Sequence, residues 1–147
     1  MGRRREGELE PREIARLLAA ADVVVGSRYV PGDHIENWPL SRPLLSREAN
    51  LLMRLMAGPH VHDWTSGFKC YKSAVLKSLP FGPGGIRSEG YSFQIDILFH
   101  CQREGWRIRE VPITFVNRRH GRTKVSRAEV DCAILTLLRI ACRRLWP

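Results

Sequence analysis

The stretch Asp22-Val-Val-Val-Gly26 decides the fold class of this 147-residue chain. A run of β-branched residues that ends in glycine is typical of a strand buried on both faces. Pro11 can begin a helix directly upstream, and Ile14, Leu17 and Leu18 follow at helical spacing. A helix that runs straight into a buried strand is one αβ step, so the sequence predicts an α/β protein.

The rest of the chain alternates helical and extended patterns, separated by loops rich in proline and glycine. The patterns predict a loop at 29–39, a helix at 44–56, a strand at 68–71, a short helix at 73–79, a loop at 80–88, a helix at 91–103, strands at 106–109 and 111–116, a basic loop at 117–127 and a helix at 128–145. Because proline cannot donate to a sheet, Pro112 indicates a strand start or an edge strand.

The two longer helices carry apolar stripes of the kind that face a protein core. In the helix at 44–56 the stripe consists of Leu45, Ala49, Leu52 and Met56, with Leu44, Leu51 and Leu55 beside it. In the helix at 91–103 the residues expected to face inward are Phe93, Ile97, Leu98 and Cys101.

The net charge of +9, from 24 Lys and Arg against 15 Asp and Glu, indicates an anionic partner. Nucleic acid, an anionic membrane surface and a phosphorylated substrate all fit this charge. The four cysteines form no C-x-x-C pair, which predicts reduced thiols in a cytoplasmic protein. His60 and His62 can be metal ligands, but two histidines on a loop are more often polar surface.

Three polar segments are candidates for ligand binding. Arg28 follows the buried strand, where open α/β sheets bind ligands and an arginine can hold a phosphate through two hydrogen bonds. Arg42 precedes a helix, and helix N-termini attract anions. The segment DWTSG at 63–67 offers a carboxylate and two hydroxyls, as in the floor of a polar pocket. Each has a plainer interpretation, as a surface arginine or an ordinary turn.

The segment RRHGRTK at 118–124 places four fixed positive charges around a glycine. A flexible basic loop can close over the diphosphate of a leaving group and stabilise its developing charge. A solvated loop or a nucleic-acid patch is the alternative, although no aromatic residue interleaves the segment and no nucleic-acid-binding motif occurs in the chain.

The predicted last helix is apolar over much of its surface and ends in Arg143, Arg144 and Trp146. Its uncharged run is too short to span a membrane. A helix of this composition can lie in the membrane interface, with its arginines towards the headgroups. Packing against the protein core is the competing interpretation.

Several segments in this order resemble the polyprenol-phosphate (dolichol-phosphate) mannosyltransferases, a group of family 2 glycosyltransferases. They are DVVVGSRY at 22–29, NWPLSR at 37–42, SREAN at 46–50, DWTSGFK at 63–69, SEGYSFQ at 88–94, EVPITFV at 110–116 and RRHGRTK at 118–124. The resemblance implies an inverting enzyme of GT-A fold that moves mannose from GDP-mannose to polyprenyl or dolichyl phosphate. It also implies a peripheral location on the cytosolic face of a membrane and a requirement for Mg²⁺ or Mn²⁺.

The resemblance also implies roles for individual residues. Arg28 would help to hold the phosphates of donor or acceptor, and Arg42 would hold the lipid phosphate. Ser46 and Gln94 would also bind substrate. Arg118 and Lys124 would hold the donor diphosphate and act in catalysis. Asp63, also expected to be catalytic, would lie at the floor of the active site with Gln94 near it.

The amino-terminal segment departs from the family pattern. The family carries an Asp-x-Asp metal motif just before the helix that matches the one beginning at Pro11, whereas this chain has Glu6, Glu8 and Glu10 in a different context. No metal ligand is therefore expected in this chain, and the nucleotide-binding βαβ units are expected to be missing. The sequence thus predicts an incomplete GT-A fold, a mixed sheet flanked by helices.

Three consequences follow for the organisation of the chain. We expect an irregular segment at 1–10, a partial glycosyltransferase domain at 11–127 and an amphipathic helix at 128–147. We also expect the buried strand to have an unpaired edge that invites aggregation or a complementing N-terminal half or membrane subunit. The alternatives are an enzyme that uses another hexose such as glucose, a non-catalytic module that binds anionic lipid, and, least favoured, a nucleic-acid binder.

Overall fold

The computed structural model describes residues 10–32, 34–36, 41–82, 85–87, 90–116, 135–136 and 138–142. Its helices and strands include α1 (Pro11–Ala20), β1 (Val23–Ser27), β2 (His34–Glu36), α2 (Ser41–Ala57), β3 (Lys69–Tyr71), α3 (Ser73–Ser78), α4 (Gly90–Arg103), β4 (Ile108–Pro112) and β5 (Thr114–Val116). The predicted α/β class is confirmed, with several boundaries moved by a few residues.

Strand β1 lies at the centre of a three-stranded sheet of order β3-β1-β4. It runs antiparallel to β3, with Val23 opposite Tyr71, and parallel to β4, with Val23 opposite Ile108. The predicted mixed sheet is confirmed. The expectation of an unpaired edge on β1 is wrong, because segments later in the chain supply a neighbour on each side.

A second, two-stranded sheet pairs β2 with β5 in parallel, with His34 opposite Thr114. The sequence predicted only a loop where β2 lies. A strand of three residues depends on its partner rather than on its own residues, so it leaves little signal in the sequence. The strands predicted at 106–109 and 111–116 were divided wrongly, since β4 ends at Pro112 and Ile113 precedes β5. Pro112 does lie in a strand at the edge of the three-stranded sheet, as predicted.

The hydrophobic core forms around β1, in which every residue is buried. Val23 and Val25 pack in one cluster with Trp64 and with Leu98 of α4. The other residues of α4 expected to face inward were Phe93, Ile97 and Cys101. Ile97 and Cys101 are buried and Phe93 packs against the cluster, so the inward face of α4 is confirmed.

Asp22 holds the start of β1 in place. Its carboxylate accepts hydrogen bonds from Lys72 Nζ at 2.8 Å and from Arg107 Nε at 3.1 Å. Hydrogen bonds from Arg107 and then Lys72 hold the pKa of Asp22 well below its usual range. The sheet is thus fixed at one end by charge, which leaves its other end for the site described below.

The predicted core-facing stripe of α2 is wrong at four of the five positions whose side chains are described, the fifth, Met56, being half-buried. Among the described side chains of this helix, the buried ones are Asn50, Met53 and Ala57, at i, i+3 and i+7. Of the predicted residues, Leu51, Leu52 and Leu55 are 56%, 46% and 69% exposed. The helix is therefore rotated so that a polar residue faces inward and three leucines face outward.

Parts of the predicted last helix are described, and residues 135–136 and 138–142 are helical. Thr136 and Ile140 are buried, so core packing holds for one face of this helix. Leu135 and Leu138 are exposed, and the placement of the helix in a membrane interface stays a prediction. No helix in the described ranges is long and apolar enough to cross a membrane. The predicted boundaries at residues 10 and 127 remain predictions, because residues 1–9 and 117–134 lie outside the described residues.

Candidate functional site

Arg28 and Asp63 form a buried ion pair just beyond the carboxyl end of β1. Arg28 donates from Nε to Asp63 Oδ2 at 2.8 Å and from Nη2 to Oδ1 at 2.7 Å. The backbone N–H of Arg28 also donates to Oδ2, at 3.0 Å. The Asp63 side chain is fully buried and that of Arg28 is 9% exposed. Two residues predicted to act at one site are therefore in direct contact.

The loop that carries Asp63 is held by hydrogen bonds to α2 and β1. Asn50 Oδ1 accepts from the backbone N–H of Trp64 at 2.8 Å, and Asn50 Nδ2 donates to Thr65 Oγ1 at 3.2 Å. Ser66 Oγ donates to the carbonyl oxygen of Gly26 at 2.5 Å. Buried polar groups that are all paired in this way fix one loop conformation, so the position of the Asp63 carboxylate is set before any ligand binds.

Glycine at position 26 lets this loop approach the strand closely. A Cβ atom there would lie 2.5 Å from Phe68 Cδ1 and 2.9 Å from Ile113 Cγ2, which is closer than real Cβ contacts. The Gly26 carbonyl and the loop can meet because this side chain is absent.

Lys69 connects the loop that carries Asp63 to α4. Its Nζ donates to the carbonyl oxygens of Trp64 at 3.0 Å and Gln94 at 3.4 Å. Burial lowers the pKa of Lys69 to about 8, opposed by the charge of Asp63 and reinforced by that of Arg28. Gln94, predicted to lie near Asp63, is thus joined to this region through its backbone oxygen.

Glu110 orients the other side of the same loop. Its Oε2 accepts from the backbone N–H of His62 at 2.9 Å and its Oε1 from that of Asp63 at 2.9 Å. His62 Nδ1 lies 2.7 Å from Glu110 Oε2. The Glu110 side chain is 8% exposed and that of His62 is 43% exposed. The carboxylate is therefore buried below an imidazole that reaches the surface.

Tyr29 connects the end of β1 to α2. Its hydroxyl donates to Ser46 Oγ at 2.5 Å. The Arg28 guanidinium carbon lies 5.6 Å from the centre of the Tyr29 ring, within range of a cation–π interaction. Ser46, predicted to bind substrate, is thus one side chain away from Arg28.

These elements surround an open cavity of about 500 Å³. Its lining consists of Arg28, Tyr29, Val30, Pro31, Arg47, Asn50, Leu51, Arg54 and His62. In the described part of the chain, three arginines line this cavity and no carboxylate does. Among the described residues, Arg54 Nε is buried without a hydrogen-bond partner. A cavity with this charge favours an anion, and arginine suits phosphate in particular.

The structure brings together some of the residues that the sequence predicted. Arg28 lines the cavity, Asp63 lies buried behind it, and Ser46 is linked to it through Tyr29. Gln94 is not brought to the cavity, since its carbonyl oxygen reaches only Lys69, which lies outside the lining. Arg42 lies in the first turn of α2, but its side chain is outside the described residues. Arg118 and Lys124 also lie outside them, so their roles stay predictions.

Sequence reasoning missed Arg47, Arg54 and His62 as cavity residues. Arg47 and Arg54 lie at i and i+7 with Leu51 between them at i+4, a spacing that puts all three on one face of α2. That spacing was available in the sequence, but the leucine was assigned to the core. His62 gave no signal, because its position depends on Glu110, which is 48 residues away.

Within the described ranges, no three His, Cys, Asp or Glu side chains lie close enough together to hold a metal ion.

Comparison with known proteins extends the likeness seen in the sequence segments. The chain is 40% identical over 144 residues to the undecaprenyl-phosphate mannosyltransferase of Micrococcus luteus, and the match covers 96% of this chain. It is 40% identical over 129 residues, 85% of this chain, to the polyprenol monophosphomannose synthase of Mycolicibacterium smegmatis. This chain is related to the polyprenol-phosphate mannosyltransferases. No family model matches it.

The match covers only part of the length of each of these mannosyltransferases. It covers 58% of the Micrococcus protein and 48% of the Mycolicibacterium protein, so this chain spans about half the length of the curated relatives it matches. The resemblance predicted from the sequence segments is confirmed, and the residues around the cavity belong to the shared part of the first relative, since that match leaves out only a few residues of this chain.

Proposed function

We propose that this chain supplies the acceptor side of a GT-A type glycosyltransferase that moves mannose from GDP-mannose to polyprenyl phosphate. The names of the two relatives support the lipid phosphate and the mannosyl group. The mixed sheet with flanking helices supports a partial domain of this type. A second half, with the nucleotide site, would complete the enzyme.

The observation that carries the proposal is the chemistry of the cavity wall. Arg47 and Arg54 offer charge for a phosphate beside Arg28, whose charge Asp63 largely offsets, whereas Val30 and Leu51 offer apolar surface. A polyprenyl phosphate combines these two properties in one molecule. Inorganic phosphate would need no apolar wall, and a hydrocarbon alone would not offset the cost of placing arginines in the cavity.

The proposed reaction needs little proton chemistry. A phosphate oxygen of the acceptor attacks the anomeric carbon of mannose while the bond from that carbon to the GDP oxygen breaks and the electron pair leaves with GDP. The arginines of the cavity hold the attacking phosphate in place, and catalysis then rests on positioning and charge neutralisation. We assign Arg118 and Lys124 to the leaving diphosphate. The divalent cation would need ligands beyond the described residues.

Membrane association is part of the proposal. Leu51, Leu52 and Leu55 form an exposed apolar face on α2 that begins at the cavity wall. The exposed Leu135 and Leu138 give the last helix a similar face. Apolar helix faces with nearby arginines suit the interface of an anionic membrane, where the lipid acceptor resides. We therefore propose a peripheral location on the cytosolic face.

The acceptor site is tested by binding of farnesyl phosphate, a short soluble analogue. Binding should be measured by calorimetry for the wild-type chain, Arg54→Gln and the matched control Arg16→Gln, which changes an exposed arginine on α1. We expect Arg54→Gln to weaken binding about tenfold, as for the loss of one charge-assisted hydrogen bond, and Arg16→Gln to leave it unchanged. Equal affinity in all three proteins would show that the cavity is not the acceptor site.

The transferase reaction is tested with radiolabelled GDP-mannose, farnesyl phosphate and Mn²⁺. We expect a folded chain that binds farnesyl phosphate to transfer no mannose alone and to do so when the missing half is supplied. Transfer by the chain alone would contradict the proposed division between donor and acceptor sides. Transfer of glucose in preference to mannose by the completed enzyme would change the assigned sugar.

A further inference from the structure

The second feature of the cavity is the contact between His62 and Glu110. The buried Glu110 carboxylate accepts from the backbone N–H groups of His62 and Asp63 at 2.9 Å each. It lies 2.7 Å from His62 Nδ1. A carboxylate that already accepts two hydrogen bonds is an acceptor at this third contact as well, so Nδ1 carries the proton and donates it. His62 also lines the cavity, and Nε2 is the ring nitrogen that the contact with Glu110 does not use.

The charge of the imidazole depends on the groups that face it. Among the described residues, the charged groups that share the cavity with the imidazole or contact it are Glu110 of β4, Arg28 after β1, and Arg47 and Arg54 of α2. The charge of Arg28 is largely offset by Asp63. An anion that enters the cavity neutralises the arginines and adds negative charge near Nε2. Anion binding must therefore favour the imidazolium, and by linkage the imidazolium must favour anion binding.

We propose that His62 is a proton-linked phosphate-binding residue. When a phosphate dianion binds, Nε2 takes one proton from solvent and the resulting N–H donates to a phosphate oxygen, while Nδ1 keeps its hydrogen bond to Glu110. The proton returns to solvent when the ligand leaves. The identity of the anion as a lipid phosphate rests on the proposed function, whereas the proton linkage rests on the geometry of His62 and Glu110.

The linkage gives the site a preference between acceptor and product. A polyprenyl phosphate is a monoester that carries up to two negative charges, with its second pKa near 6. Attachment of a sugar turns it into a diester with one charge. The singly charged diester is attracted less strongly to the imidazolium than the monoester dianion is. His62 therefore favours binding of the acceptor over retention of the product. His62 thereby becomes a specificity-determining residue for phosphate monoesters.

The test uses inorganic sulfate as a probe, because its charge stays fixed between pH 5.5 and 7.5 and any pH dependence then comes from the protein. In the unaltered chain, the pKa of the His62 imidazole should be followed by NMR with and without saturating sulfate. We expect sulfate to raise it by about one unit, which corresponds to about tenfold tighter binding to the charged form. No rise in the pKa of His62 would overturn the inference without any substitution being made.

Affinity measurements with matched variants give a second readout. We expect the wild-type chain and His60→Gln, which changes an exposed histidine two residues away, to bind sulfate about fivefold more tightly at pH 5.5 than at pH 7.5, because this pH range covers only part of the tenfold difference between the two forms. His62→Gln should bind with the weaker affinity at both pH values. A pH dependence that persists in folded His62→Gln would overturn the inference.

Competition by farnesyl phosphate separates this inference from the proposed function. Sulfate that binds independently of pH and is displaced by farnesyl phosphate would overturn the role of His62 and leave the acceptor site standing. Sulfate that binds in the proton-linked manner and is not displaced would support His62 and contradict the assignment of the cavity to a lipid phosphate.

Discussion

Asp63 meets Arg28 through both of its carboxylate oxygens, at 2.8 Å and 2.7 Å, in a contact that solvent does not reach. The pair spans 35 residues of sequence and ties the loop after α2 to the end of the central strand. Asp63 therefore acts on the cavity by fixing the guanidinium of Arg28, which is the group that lines it.

Replacement of Asp63 by Asn should be strongly destabilising. Loss of one partner leaves a buried guanidinium charge without compensation, and such changes cost about 3–5 kcal/mol. Urea unfolding of the wild-type chain and Asp63→Asn measures the difference. The double variant Arg28→Met/Asp63→Leu removes both charges. Its loss in free energy of unfolding should therefore be smaller than the sum of the losses for Arg28→Met and Asp63→Leu. A loss below about 1 kcal/mol for Asp63→Asn would contradict the assigned role.

Asn50→Ala should destabilise the loop that carries Asp63. The substitution leaves the backbone N–H of Trp64 buried without its acceptor and removes the donor to Thr65, at a cost of about 1–3 kcal/mol. Glu48→Ala on the exposed face of the same helix should change stability by less than about 0.5 kcal/mol. Thermal unfolding of both variants provides the comparison, and equal midpoints would refute the prediction.

Leu51→Ser and Leu55→Ser should weaken membrane binding without destabilising the fold. Both side chains are exposed, so each substitution should change the free energy of unfolding by about 0.5 kcal/mol or less. Each should nevertheless weaken co-sedimentation with liposomes that contain anionic lipid, because the apolar face of α2 is lost. Leu76→Ser changes a leucine on α3 that is 41% exposed and serves as the control. If all three variants sediment alike, α2 is not the face that contacts lipid.

Lys69 should make stability depend on pH. Burial lowers its pKa to about 8 from the usual 10.5, so the folded state binds fewer protons than the unfolded state between these values. The lowered pKa penalises folding fully below pH 8, and the penalty shrinks as the pH rises towards 10.5. The stability of the wild-type chain should therefore rise relative to that of Lys69→Met between pH 8 and pH 10. Parallel pH profiles of the two proteins would rule this out.

Local pattern was enough to predict the central strand and α4. The three valines before Gly26 define a buried strand without any knowledge of its neighbours, and the apolar spacing of α4 defines its inward face. Local pattern did not predict which strands pair with one another. β2 exists because it pairs with β5, and β1 has two neighbours that lie much further along the chain.

The error on α2 has a specific cause. Asn50 is buried because its amide meets Trp64 and Thr65 on a separate loop, and a contact of that kind is not visible in a helical pattern. Once Asn50 turns inward, Leu51 and Leu55 must turn outward. Positions where an apolar helical pattern does not face the core often belong to functional sites. In α2 this exception lies at the wall of the cavity.

The candidate site was predicted in outline and not in its contacts. Arg28 and Asp63 were both assigned to the site from the family resemblance, but their direct pairing follows only from the folded chain. Arg42, Arg118 and Lys124 keep the roles that the resemblance implies, as predictions. His62 and Arg54 were found by geometry, because neither residue type is unusual on a loop or a helix.

The sheet has a consequence for how the chain acquires its structure. Arg107, at the entry to the parallel neighbour of β1, binds Asp22 across 85 positions of sequence. At about 5–20 residues per second, a ribosome adds the partner of Val23 roughly 4 to 17 seconds after Val23 itself. Until then the three valines lack their parallel neighbour strand, and one edge of β1 stays unpaired. We expect the nascent chain to need a chaperone most during this interval.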